Sequence, residues 1–244
     1  MTGSITSEDL ISSQASLPGD LAVAALALAR HFAAGGTLWC IAPRWPSHGS
    51  HVAVEFVHPV IVGKRAFPAV HVEDDDLVGA VRLLSRPGDA LLAISDANDS
   101  EVAAVIRRGD AWGLTTVAIG AGPRPTVRRA EHELWLDDMD MARAARSGAV
   151  VLCYHLLWEL VHVVFEHPGL LAAGSECPDQ VCITCSDEGR VAEVRFRPGG
   201  DWAVVLAGGE EETVDVSLVE EADPGDLVLV HAGVAITRVC ESDE

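Results

Sequence analysis

Ala90-Leu-Leu-Ala-Ile-Ser-Asp-Ala-Asn-Asp-Ser100 is a short apolar run that stops in a polar loop, and the helical stretch Asp99 to Trp112 follows it directly. Read outward, the same alternation repeats. Thr115 to Ile119 is the next apolar run, and Ala69 to Val72 with the helix Leu77 to Leu84 stands before. Further out, Asp20 to Ala34 reads as a helix stopped by Gly35-Gly36, Thr37 to Ala42 as the first strand and His48 to Val62 as a second helix. His132 to Leu136 completes five strands, and the run Met139 to Phe165 reads as one buried closing helix. Short apolar runs separated by amphipathic helices predict a layered α/β domain with a parallel sheet flanked by helices.

Beyond Glu166-His167-Pro168-Gly169 the character changes. Ala172 to Asp179 is small, polar and broken by Pro178, which places a domain boundary between residues 174 and 175. From Gly189 the periodicity drops toward two, in runs Arg190 to Phe196, Trp202 to Ala207, Thr213 to Val219 and Leu227 to Val239. Turns at Pro198-Gly199-Gly200, Gly208-Gly209 and Pro224-Gly225 punctuate them, so residues 175–244 are predicted to curl into a small antiparallel β-barrel.

Composition narrows the partners. Thirty-seven acidic against seventeen basic side chains give a formal charge of −20. Such a surface repels phosphate backbones and anionic headgroups, so neither nucleic acid nor a membrane is an expected partner. The start, Met1 to Leu17, lacks the basic and apolar regions of a signal peptide, and the cytoplasm is the expected compartment. In that compartment six cysteines are read as free thiols or metal ligands.

Three of those cysteines cluster in Cys177-Pro-Asp-Gln-Val-Cys182-Ile-Thr-Cys185, just before the first barrel strand. A thiolate there suits soft metal chemistry. The spacing equally admits a structural zinc site or a Cys182–Cys185 disulfide. Thr213-Val-Asp-Val-Ser-Leu-Val219 and Pro224-Gly-Asp-Leu-Val-Leu-Val-His-Ala-Gly-Val-Ala-Ile236 resemble the barrel core of the hydrogenase maturation chaperones called HypC or HupF. The resemblance implies a carrier whose cysteine, together with a HypD-type partner, holds an iron atom bearing cyanide and carbon monoxide, Fe(CN)2CO, for delivery to the nickel–iron hydrogenase large subunit. It places that thiolate at Cys182, with Cys185 as the alternative because the family spacing to Gly189-Arg190-Val191 falls between the two. It places the family histidine at His231, with Cys177 in support.

The α/β portion, Leu21 to Glu166, resembles the sugar isomerase (SIS) domain and within it the phosphoheptose isomerases. The matching segments are Ala90 to Ser100, Thr115 to Gly120 and Tyr154-His-Leu-Leu-Trp-Glu-Leu-Val161. In that family the loop after the strand wraps a sugar phosphate. Here Ser95 and Ser100 remain, but Asp96 and Asp99 put two carboxylates beside a dianion, which costs affinity. The preceding loop, Ala42-Pro-Arg-Trp-Pro46, is too stiff and bulky for close backbone approach. The family's metal pattern is partly kept: His51 and Glu55 share a helical face, and His155, Glu159 and His162 share another. His51, Glu55 and His155 are candidates to hold zinc or ferrous iron, with Glu159 or His162 completing the set. The competing reading is that these groups satisfy one another between helices.

The resulting expectation is a hydrogenase maturation carrier whose SIS-like domain has lost phosphate binding and serves as a dimerising or docking platform. The alternative is a metal-dependent SIS-type enzyme acting on a sugar or small carbonyl compound, with the barrel as an interaction module.

Overall fold

The computed structural model of the protein describes residues 17–172, 189–219 and 222–239. Five strands, β1 (Leu38–Ile41), β2 (Ala69–His71), β3 (Ala90–Ile94), β4 (Thr115–Ala121) and β5 (His132–Leu136), form one parallel sheet in the order β2-β1-β3-β4-β5. All five residues of β3 are buried, because helices cover both faces of the sheet.

One face carries α1 (Leu17–Ala33), α2 (Pro46–Val57) and the long α6 (Ala149–Glu166), whose Phe32, Phe56, Tyr154 and Leu157 pack on Cys40, Leu92 and Ile119 of the strands. The other face carries α3 (Leu77–Leu84) and α4 (Ser100–Ala111), whose Val81, Val105 and Ile106 pack on Leu91 and Ala93. Alternate residues of each strand thus feed opposite cores. Carboxylates at Asp76 and Asp99 set the helix starts by accepting from the amides of Gly79 (2.9 Å) and Val102 (3.1 Å).

The closing helix expected over Met139 to Phe165 is two helices. Gly148 adopts a left-handed conformation (φ 83°) between α5 (Met141–Ser147) and α6, which turns the chain before α6 begins. Helix α6 is long and apolar enough to cross a bilayer, but its Val150, Cys153, Leu157 and Val161 belong to the core. A short α7 (Pro168–Ala172) follows.

The C-terminal strands β6 (Arg190–Phe196), β7 (Trp202–Ala207), β8 (Glu210–Asp215), β9 (Leu227–His231) and β10 (Val234–Arg238) close into a barrel, ordered β10-β8-β7-β6-β9. Ala192, Val194, Ala203, Val205, Val214, Val228, Val230 and Ala235 fill it. Two expectations are corrected. The barrel is not antiparallel throughout, since β10 runs parallel to β8 at Val234 and Asp215. A ring of five strands cannot alternate direction at every step, so one parallel neighbour is unavoidable. The strand expected at Thr213 to Val219 begins earlier, because the two-residue turn Gly208-Gly209, with both φ angles positive, pairs Ala207 with Glu210 at once.

The expected boundary at residues 174 and 175 lies outside the described residues. The barrel itself is packed on α4. Leu206 and Leu227 share one core with Val81, Ile106, Trp112 and Leu114, and the Gly209 amide donates to the Ala111 carbonyl at 2.9 Å. The barrel and the α1/α2/α6 layer therefore lie on opposite faces of the sheet.

Candidate functional site

Helix α2 opens with Pro46 in its first turn, and the 3.6-residue repeat puts His51 and Glu55 on the same face. Helix α6 packs beside it and supplies His155. Three donor atoms converge: His51 Nε2 lies 3.1 Å from Glu55 Oε1 and 3.4 Å from His155 Nε2, and His155 Nε2 lies 3.5 Å from Glu55 Oε1. Among the described residues this is the group of histidine, cysteine and carboxylate donors close enough to share an ion. Donors about 2.0–2.2 Å from a tetrahedral metal stand about 3.3–3.6 Å from each other, so the triangle fits one face of such a site. Both imidazole side chains are 42% exposed and the carboxylate is 14% exposed, which leaves the remaining side open to solvent.

The Tyr154 hydroxyl touches the other ring nitrogen, His51 Nδ1, at 2.7 Å. Burial, and secondarily the Glu55 carboxylate, push its pKa up to about 12, so it is a neutral phenol at ordinary pH. His48 is held below the usual histidine range, first by burial, and its Nε2 lies 3.2 Å from the Ala145 carbonyl oxygen.

Two residues expected to complete the set do not. Glu159 is drawn to Lys64 at 3.1 Å, and the same ammonium holds Glu166 at 2.9 Å. His162 is buried with Nδ1 against the Trp158 carbonyl oxygen (2.9 Å) and Nε2 against that of Arg65 (3.0 Å), so neither nitrogen faces an ion. Helical spacing gave both the right angular position. The loop bearing Lys64 and Arg65 decides otherwise.

The loop after β3 is filled from within. Ser95 is buried with Oγ 3.5 Å from Arg129 Nη2, and the Asp96 carbonyl accepts from Arg129 Nη1 at 3.1 Å. The Asp96 carboxylate pairs with Arg44 at 2.7 Å. The carboxylate of Asp99 is spent on capping α4, and Ser100 is the first residue of that helix. Arg129 gave no signal in the sequence, because it arrives from the connection between β4 and β5.

On the barrel, His231 ends β9, one residue beyond the Arg190–Val230 pair that opens β6. It is half-buried and stands beside the point where residue 189 enters the barrel. Cys177, Cys182 and Cys185 lie outside the described residues.

Residues 188–244 match the model of the HupF/HypC family, a span that contains all five barrel strands. The α/β half is similar in fold to a phosphoheptose isomerase from Francisella tularensis, with a TM-score of 0.53 and 18% identity over 63% of this chain and 91% of that one. The sugar isomerase domain of an RpiR transcription factor from Sphaerobacter thermophilus aligns with a TM-score of 0.46 and 13% identity over 67% of this chain and 86% of that one. The chain has no match among the curated proteins. The chain thus joins an α/β half that has the fold of a phosphoheptose isomerase to a barrel that matches the HupF/HypC family model over residues 188–244.

Proposed function

We propose that the protein is a maturation factor for nickel–iron hydrogenase, in which the barrel carries the Fe(CN)2CO unit as cargo and the Cys182 thiolate grips it. The observation behind this reading is the family match, which runs through every barrel strand and includes His231 at the end of β9, next to the Arg190–Val230 pair. A single thiolate supports carriage because it binds low-spin iron firmly and still exchanges. A HypD-type protein shares the cargo, the hydrogenase large subunit receives it, and the cytoplasm is where transfer occurs.

In this reading the SIS-like half is a platform that no longer binds sugar phosphate. Arg129 and Arg44 already satisfy Ser95 and Asp96, and two carboxylates repel a dianion. Pairing with a second copy takes place through this half. Purification with a HypD-type partner, followed by infrared spectroscopy, is the test. Cyanide and carbon monoxide bands are expected in the wild type and absent in Cys182→Ala. Normal hydrogenase maturation in a strain that has only Cys182→Ala overturns the assignment.

The three-donor triangle favours a second reading for the α/β half, a metal-dependent enzyme on a small carbonyl or sugar substrate. His51, Glu55 and His155 would hold zinc or ferrous iron there. Such an ion supplies Lewis acidity to a carbonyl oxygen. The chain's own contribution is orientation of the imidazoles by α2 and α6 and an open side for a substrate oxygen. Turnover of a carbonyl substrate that disappears in full-length His155→Ala, with the infrared bands unchanged, is the expected signature.

A further inference from the structure

Tyr154 lies within α6 with 1% of its surface exposed, yet its hydroxyl reaches across to α2 and ends on His51 Nδ1. Its ring stands edge-on to the His51 ring, at a centroid distance of 5.3 Å and an angle of 74°. This contact matters because a neutral imidazole has one protonated and one bare nitrogen. For His51 Nε2 to offer a lone pair toward the point shared with Glu55 and His155, the proton must sit on Nδ1, and there it needs an acceptor.

A tyrosine hydroxyl meets that need and its opposite. Without an ion, the contacts fit Tyr154 O–H donating to Nδ1 in the tautomer whose Nε2–H donates to Glu55 Oε1 across 3.1 Å. With an ion on Nε2, the proton stands on Nδ1 and is donated to Tyr154 Oη, whose own hydrogen turns away. We propose that Tyr154 is a positioning residue for the metal centre, which accepts from the protonated Nδ1 of the ligating tautomer of His51 and fixes the plane of its ring. The proposal rests on the reading of His51, Glu55 and His155 as a metal site. Partners of this kind change metal affinity by about 10–100-fold in other proteins.

Titration of the metal-free full-length protein with cobalt(II) and zinc, for wild type, Tyr154→Phe and His51→Ala, tests it. Tyr154→Phe keeps the ring and is expected to bind about 10–100-fold more weakly with an altered cobalt absorption spectrum, while His51→Ala loses the site. Long-range proton–nitrogen NMR of the zinc-loaded wild type adds a readout that does not depend on the variant folding. It is expected to show His51 protonated on Nδ1. Equal affinity and an unchanged spectrum in folded Tyr154→Phe overturn the proposal and leave the metal site standing, whereas zinc-loaded His51 protonated on Nε2 takes that nitrogen out of the site and overturns both. A wild type that binds neither ion removes both.

Discussion

The indole Nε1–H of Trp112, at the end of α4, donates to the carboxylate of Glu193 on the outer wall of β6, joining residues 81 positions apart. Glu193 is buried, and Arg195 Nη1 at 3.5 Å and Arg82 Nε at 4.0 Å supply the positive charge beside it. Arg82 also stands over the Trp112 ring at 5.8 Å. A buried carboxylate needs such partners, so the junction has the chemistry of a core.

Trp112→Phe removes this donor and keeps most of the ring. A loss of about 1–3 kcal/mol in urea denaturation is expected, with the barrel and the α/β half unfolding in one transition. Two separate transitions in the wild type would show that the halves are independent.

Gly209→Ala tests the same junction from the backbone. Its φ is +84°, and a β-carbon there would stand 2.6 Å from Pro87 Cβ, whereas Gly208 at φ +57° opens onto free space. Gly208→Ala is expected to cost about 1–2 kcal/mol through its conformation alone, and Gly209→Ala more. Equal melting temperatures of the two variants would show that the contact with Pro87 yields freely.

Metal analysis separates the five candidate donors. His51→Ala, Glu55→Ala and His155→Ala are expected to lose bound zinc, and Glu159→Gln to keep it. His162→Ala should also keep it while losing stability, since His162 is buried between two carbonyls. Zinc lost from Glu159→Gln would put that carboxylate back in the site.

Acid should weaken the fold. Burial is the first cause that holds His31, His48, His71 and His132 below the ordinary histidine value of about 6.5. Just below that pH the unfolded chain takes up protons that the native chain refuses, so stability falls as pH drops from 7 toward 5. Asp110, whose carboxyl is pushed up by burial, opposes this at lower pH as a single group. Urea midpoints at pH 7.5, 6.5 and 5.5 should decline in that order.

Thiol labelling distinguishes the two described cysteines from any exposed sulfur. Burial pushes the Cys153 thiol up to about 12 and raises that of Cys40 further. Neither should react with iodoacetamide at pH 8 until the protein unfolds, and mass spectrometry of the labelled peptides reads this directly.

Much of this arrangement was legible residue by residue. Leu77 to Leu84, Arg190 to Phe196 and Trp202 to Ala207 have the bounds their patterns predict. The run Leu227 to Val239 is a hairpin instead, because Ala232 accepts a left-handed φ of 50° beside Gly233, a turn with no strong signature. The acidic Glu210-Glu211-Glu212 hid the start of β8, since strand pairing with β7 outweighs the low strand preference of those residues.

By itself the sequence determined the α/β alternation, the two-part architecture and the shared helical face of His51 and Glu55, because periodicity and i, i+4 spacing are local consequences of backbone geometry. Tertiary structure alone decided that Lys64 takes Glu159, that Arg129 fills the loop after β3, that Tyr154 meets His51, and that the barrel stands across the sheet from the three donors. Each depends on which distant segment packs alongside, and packing is settled by the shape and charge of surfaces formed only once the elements have come together.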